Sequence, residues 1–322
     1  MLSRREVLAG GVAAAASTIL SRGSEVMAAG PQPRTKVNFE VPAGACDCAV
    51  HVYGDPKRFP LWSGRTYTPE TATVEELRQL MQTLRLDRVV IIQATPYGTD
   101  NTCVGESIRS LGNRARGVAM IDEHTTDASM DEMHRSGVCG IRLNMGGLGV
   151  SDPAAARQRL LAELARVQKR KWHIQLSAQP GTFEALREQL ATLPVPLVID
   201  HFGGVSAAAG VNQPGFATVL SLVKSGAYIK ISNADTISTR PDLSDVAPIA
   251  KAIVAANPER VLWGTAWPHP SAGSVPGRTS TDLAHHRQTD DGKMINMLPV
   301  WVPDAAVRKL ILVDNPARLY QF

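Results

Sequence analysis

"VLWGTAWPHP", residues 261–270, opens with an apolar run and closes on Trp267, Pro268 and His269. Val261–Ala266 is short, rich in β-formers and bounded by a turn, which is how a buried strand reads. A strand buried on both faces belongs to a parallel sheet covered by helices. Working outward, seven further runs of the same kind precede it: Cys46–Val52, Arg88–Ala94, Ala115–Ile121, Val138–Asn144, His173–Ala178, Pro196–His201 and Ala227–Ser232. Helical spacing fills the gaps at Val74–Leu86, Ala154–Lys171, Thr182–Leu193, Gly215–Ser225, Leu243–Asn257 and, after the last run, Asp304–Val313. Pro180-Gly181-Thr182 and Pro303-Asp304 are helix starts. Eight such strands alternating with helices predict an α/β fold, one (β/α)8 barrel over residues 36–322. A doubly wound open sheet is the alternative, but no glycine-rich phosphate loop follows the first run.

In a barrel of this kind the C-terminal ends of the strands share one mouth, where the chemistry sits. Those ends are His51, Thr95, Asp122, Arg142, Ser177, His201, Ser232 and Ala266.

The chain has 322 residues, 44% of them hydrophobic, enough for one large core. Its 34 basic and 30 acidic residues nearly balance and form no basic run, so nucleic acid is not expected as a partner. Ser3-Arg4-Arg5-Glu6-Val7-Leu8 resembles a twin-arginine export signal, followed by an apolar stretch from Leu8 to Leu20. That stretch is too short to span a bilayer. Residues 1–29 are therefore expected to be a removed signal peptide, leaving a periplasmic protein with no membrane partner. Cys46 and Cys48 alternate on one strand face, a spacing wrong for a redox pair or a zinc knuckle, and read as small buried hydrophobes.

Eight segments carry a resemblance to a known family: Asp47–Gly54, "RTYTP" at 65–69, "QATPYGTDN" at 93–101, "RARGVA" at 114–119, "GIRLN" at 140–144, "VIDHFGG" at 198–204, "VLWGTAWPHP" at 261–270 and "LVDNPARLY" at 312–320. In this order they resemble the amidohydrolase-related branch of the amidohydrolase superfamily, near its lactonases and lactone isomerases. The resemblance implies a barrel enzyme acting on a small-molecule lactone. It also marks departures. Where the superfamily has His-x-His on the first strand, this chain has Ala49-x-His51. The fifth strand's late histidine is missing, since His173 falls too early, and the closing acid is Ala266.

Two neutral imidazoles, His51 and His201, fall short of the three protein ligands usual for catalytic zinc. No metal and no cofactor are therefore expected. The resemblance agrees, since it implies lactonase and isomerase branches that work without a divalent cation. Without the closing acid, either His51 or His201 acts as the base, or the nucleophile needs little activation. Water attack would give ring-opening hydrolysis. Attack by a hydroxyl of the same molecule would give lactone isomerisation, helped by proximity. A silent barrel that binds a sugar acid or aromatic metabolite is the third reading.

His201, His51 and Arg142 are the expected catalytic residues, with Arg142 polarising a carbonyl or holding a carboxylate. Tyr67, Gln93, Thr95, Tyr97, Asn101, Gln175, Ser177, Lys230, Trp267 and His269 are the expected substrate-binding set. Lys230 needs an anionic partner if buried, either Asp200 or Asp47. The resemblance places the extra arginines of the dicarboxylate lactonases at positions held here by Leu148 and Thr236, which favours a neutral or singly anionic lactone. Asp314 and Asn315 are expected to finish the last helix, and His285 and His286 to be solvated in a polar loop at 271–292.

Overall fold

The structure is a computed structural model that describes residues 30–145, 152–273 and 276–322. Eight parallel strands run in barrel order: β1 (Cys46–Val50), β3 (Arg88–Ile92), β4 (Ala115–Ala119), β5 (Val138–Asn144), β6 (His173–Ser177), β7 (Leu197–Ile199), β8 (Tyr228–Ser232) and β9 (Val261–Gly264). The ring is nearly closed by Ala266 N donating to Ala49 O and His51 N donating to Trp267 O, each at 2.8 Å. Close approach at this seam requires Gly264, because a Cβ there would lie 2.7 Å from the Ala49 Cβ. The chain is thus a single (β/α)8 barrel. A small parallel pair, β2 (Thr68–Pro69) with β10 (Leu283–Ala284), lies outside the ring.

Six of the eight predicted strands end one to two residues early, while β5 and β8 end where expected. In those six, the last residues of the run, such as His51, His201 and Ala266, lie beyond the strand at the mouth. The helices bury one apolar stripe each. α1 (Val74–Leu84) covers Leu77, Leu80, Met81 and Leu84 and is started by a capping box between Thr73 and Glu76. Two helices of more than two turns were not expected: α2 (Thr102–Leu111) and α3 (Asp127–Arg135). The predicted helix at 182–193 is broken into two short helices, Pro180–Ala185 and Arg187–Ala191.

The expected last helix also departs from prediction. It stops at Lys309, passes through a wide turn at Leu310–Asp314, and a new helix starts at Asn315. Asn315 therefore ties structure together instead of ending a helix, donating through Nδ2 to Pro258 O and Val261 O.

Inside the ring, Cys46, Cys48, Val90, Ile92, Val118, Val198 and Leu262 form a separate apolar cluster joined by Leu319 and Tyr320. All four cysteines are free, and Cys46 and Cys48 are buried as small hydrophobes. No described helix is long and apolar enough to cross a membrane.

Candidate active site

His51 follows β1, with its Nδ1 2.8 Å from the carbonyl oxygen of Ile92. A carbonyl only accepts, so Nδ1 carries the hydrogen and Nε2 keeps its lone pair. Burial first, then the nearby Arg142 charge, lowers the His51 pKa to about 3. His201 sits beyond β7 with Nδ1 2.9 Å from Ser232 Oγ. Burial pulls it down, Asp200 pulls it back up and Arg142 lowers it again, leaving it at about 4. Both imidazoles are therefore neutral at neutral pH.

The backbone at His201 is unusual. His201 and Phe202 have φ of 47° and 55°, in a region that non-glycine residues rarely occupy. Gly203 and Gly204 continue the left-handed run, and a Cβ on Gly204 would meet Ala178 O at 2.5 Å. This tight turn fixes where the His201 ring emerges, and such strain clusters at functional positions.

Arg142 lies near the end of β5, with Nε 3.7 Å from Asp200 Oδ2. Asp200, 3% exposed, also accepts from Gln175 Nε2 at 2.8 Å and lies 3.5 Å from Lys230 Nζ. Lys230 in turn donates to Gln175 Oε1 at 2.6 Å. Burial would raise the Asp200 carboxyl, but Lys230, His201 and Arg142 hold it down to about 2. Of the two partners expected for Lys230, Asp200 is the one it has.

The Tyr53 and Tyr67 hydroxyls pair at 3.1 Å, and the Tyr53 ring centroid is 6.1 Å from that of His51. Burial raises the Tyr67 pKa while the hydroxyls of Tyr53 and Thr95 and the Arg142 charge lower it, which groups Thr95 and Arg142 with this pair. Beside Asp200 and His201 opens a cavity of about 370 Å³, walled in part by Ser177, Asn233 and Thr236.

A guanidinium whose charge reaches two neutral imidazoles at a barrel mouth can polarise a carbonyl while an imidazole accepts a proton from the attacker. The family model described as "Amidohydrolase" (Amidohydro_2) matches residues 46–322. The chain belongs to the amidohydrolase family. This amidohydrolase is 33% identical to a 2-pyrone-4,6-dicarboxylate hydrolase of Comamonas testosteroni over 297 residues, covering 89% of this chain and 93% of the relative. It is 32% identical to a 4-sulfomuconolactone hydrolase of Hydrogenophaga intermedia (90% and 93% covered). It is 28% identical to a D-galactarolactone isomerase of Agrobacterium fabrum (89% and 94% covered). Among solved structures, that of a probable 2-pyrone-4,6-dicarboxylic acid hydrolase from Acinetobacter baumannii with citric acid bound superposes with a TM-score of 0.72. That match is 25% identical and covers 87% of this chain and all of the other. The amidohydrolase is thus an enzyme whose relatives open or isomerise lactones.

Several expected binding residues of the amidohydrolase have other work. Gln93 is buried and donates to Gly98 O and Asp100 O. Tyr97 accepts from Gly54 N, and Asn101 exchanges hydrogen bonds with the Met120 backbone. These three hold mouth loops in shape. Gln175 and Lys230 lie beneath the mouth, satisfied by each other and by Asp200. The Trp267 indole is buried and donates to Pro31 O. His269 is 0% exposed and bonded through Nε2 to both Asp291 oxygens, at 3.0 and 3.1 Å. His286 is not solvated: it is buried and stacks on Tyr53 at 5.9 Å, while the exposed His285 lies 2.6 Å from Glu70 Oε1. Leu148 lies outside the described residues, as do residues 1–29.

Tyr53, Asn233, Asp200 and Arg287 are mouth residues absent from the expected catalytic and binding sets, although Asp200 was expected as a partner of Lys230. Of these, only Asp200 had a signal, its place immediately before His201.

Among the described residues, no three His, Cys, Asp or Glu side chains gather as metal ligands. His173 is no substitute, because its ring faces Tyr320 inside the barrel at 5.3 Å. His51 and His201 alone do not make the three-ligand set of a catalytic divalent ion.

Proposed function

We propose that this amidohydrolase opens a small lactone ring with water and without a divalent cation. The observation that carries the reading is the pair of neutral imidazoles, one with a bare Nε2, both within the electrostatic reach of Arg142. Arg142 holds the lactone carbonyl and stabilises the oxyanion that forms on it. An imidazole takes a proton from water as the oxygen attacks, and returns it to the ring oxygen as the acyl C–O bond breaks. Proton capture by His201 is assisted by Asp200, whose charge favours the imidazolium. The product is a hydroxy acid that ionises, so each turnover releases one proton.

A second reading, isomerisation by internal acyl transfer, is favoured by Ala266. Its methyl group stands at the end of the closing strand and takes no proton from water, whereas a substrate hydroxyl held beside its own carbonyl needs less help. On the strength of the Ser3-Arg4-Arg5 pattern before Leu8–Leu20, we assign the mature enzyme to the periplasm; export that survives Arg4→Lys/Arg5→Lys would overturn that.

The test is a panel of γ- and δ-lactones in weak buffer with a pH indicator, run with and without a chelator. Acidification that chelation leaves intact is expected. Shifted NMR ring signals without acid would select isomerisation, and activity lost to chelation and restored by zinc would overturn the metal-free reading. His201→Ala is expected to cut turnover by more than about tenfold; unchanged turnover removes it from the mechanism.

A further inference from the structure

The segment that follows β9 returns to the mouth. Its backbone is pinned where Arg287 N donates to His269 O at 2.9 Å, and β10 pairs with β2 just before it. From there the Arg287 side chain reaches β8's end. Nη2 donates to Asn233 Oδ1 at 2.8 Å, and Nη1 lies 3.6 Å from Asp235 Oδ2. The same Asp235 oxygen also accepts from Thr289 Oγ1 at 2.7 Å. Asn233 walls the 370 Å³ cavity together with Asp200 and His201.

Three features separate Arg287 from a purely structural arginine. Its side chain is 31% exposed, so ligand can reach it. Its Nε is buried with no acceptor among the described residues. Its closest partner, Asn233, orients the guanidinium without neutralising it. Arg142, Lys230 and Arg287 set three positive charges against the two of Asp200 and Asp235. The positive charge also reaches His201, where Arg287 is among the groups disfavouring the imidazolium. A planar guanidinium bonded to Asn233, a residue of the cavity wall, suits a carboxylate bound beside that wall.

We propose that Arg287 is a specificity-determining residue of this enzyme, binding a carboxylate of the lactone at the β8 side of the mouth while Arg142 holds the reacting carbonyl. This rests on the lactone reading and narrows it to lactones that carry a carboxylate beyond the ring ester. The cation comes from the segment after the closing strand, where no strand-end reading would look for it.

The experiment pairs a carboxylate-bearing lactone with the same lactone as its primary amide, in wild type, Arg287→Gln and Arg287→Lys. Arg287→Gln is expected to raise KM for the carboxylate form about tenfold more than for the amide, with Arg287→Lys recovering part of the difference. Equal changes for both substrates would overturn the proposal.

Citrate binding, read as a thermal shift of the full-length protein, does not depend on turnover. Citrate is expected to protect the wild type and to lose most of that protection in Arg287→Gln. Equal protection of both, or none of the wild type, would overturn the anion site even if lactones turn over. Protection lost in the variant while no lactone is turned over would overturn the lactone reading and leave Arg287 as the anion ligand. If Arg287→Gln does not fold, Arg287→Lys carries both measurements, with weaker citrate protection expected and unchanged protection overturning the proposal.

Discussion

Two aspartates are buried in opposite walls of this barrel, and their carboxyls behave in opposite ways. Asp47, on β1, accepts from the Thr265 hydroxyl at 2.6 Å and from the Ala49 and Thr265 amides at 3.0 and 3.1 Å. All its donors are neutral, and burial pushes it up to about 7. Asp200, beyond β7, faces Lys230 and Arg142 and is held at about 2 in spite of equal burial. Burial raises both carboxyls, and cations decide which one ionises. The barrel therefore has a neutral wall, β9 and β1 with Ala49 and Ala266, and a charged wall from β5 to β8. On the proposed mechanism, the acid–base work belongs to His201 in the charged wall and to His51.

The largest effect expected from this contrast comes from removing each charge in turn. Asp200→Asn strands two buried cations and is expected to cost about 3–5 kcal/mol. Asp47→Asn strands none and loses part of a neutral hydrogen-bond set, at about 1–3 kcal/mol. Urea denaturation of the two variants measures the difference. Equal losses would mean that Lys230 and Arg142 do not set the state of Asp200.

Acid should expose the same contrast more gently. His51, His173 and His201 are held near 3, 3 and 4 against an ordinary 6.5, so the unfolded chain binds their protons first. Stability from these three falls as pH drops from about 6.5 towards 4. Asp47 works the other way: its raised carboxyl contributes stability below about 3.8 that is lost as pH rises through 7. Three imidazoles outweigh one carboxyl, so the net change is a loss in acid, at about 1.4 kcal/mol per pH unit for each excess proton bound by the unfolded chain. Asp200 adds its own loss below about pH 4. Asp47→Asn should steepen the fall between pH 6.5 and 4 by removing the opposing group. A slope unchanged from wild type would show that Asp47 is already ionised there.

The sequence made the barrel legible because each strand is a short apolar run, and it made His51, Arg142 and His201 legible because they end such runs. α3 escaped notice because it buries only Met130 and shows no apolar stripe. α2 escaped because its buried face includes Cys103 and Ser107, which weaken the periodic signal. The mouth was harder. Tyr53 meets Tyr67 through a loop, and Arg287 meets Asn233 across 54 residues, so neither pairing leaves a local pattern. Lys230 and Gln175 alternate correctly towards the interior, but alternation does not say how deep a residue lies. His269 and Trp267 looked like rim residues by position, and burial against Asp291 and Pro31 removed them from it.

The smallest effect should come from the neutral wall itself, at Ala266. Its φ of 69° is left-handed, where an L-residue with a Cβ carries about 1–2 kcal/mol of strain. Ala266→Gly relieves that strain and adds about 0.4–1 kcal/mol of unfolded-chain entropy, so the terms largely offset. The variant is expected to melt within a few degrees of wild type, on the stable side. If the closing strand takes no part in proton transfer, turnover should change by less than about twofold, since only a methyl group is lost. A tenfold fall with an unchanged melting temperature would mean that the methyl group shapes the reacting geometry, and the division into a working wall and an idle one would fail.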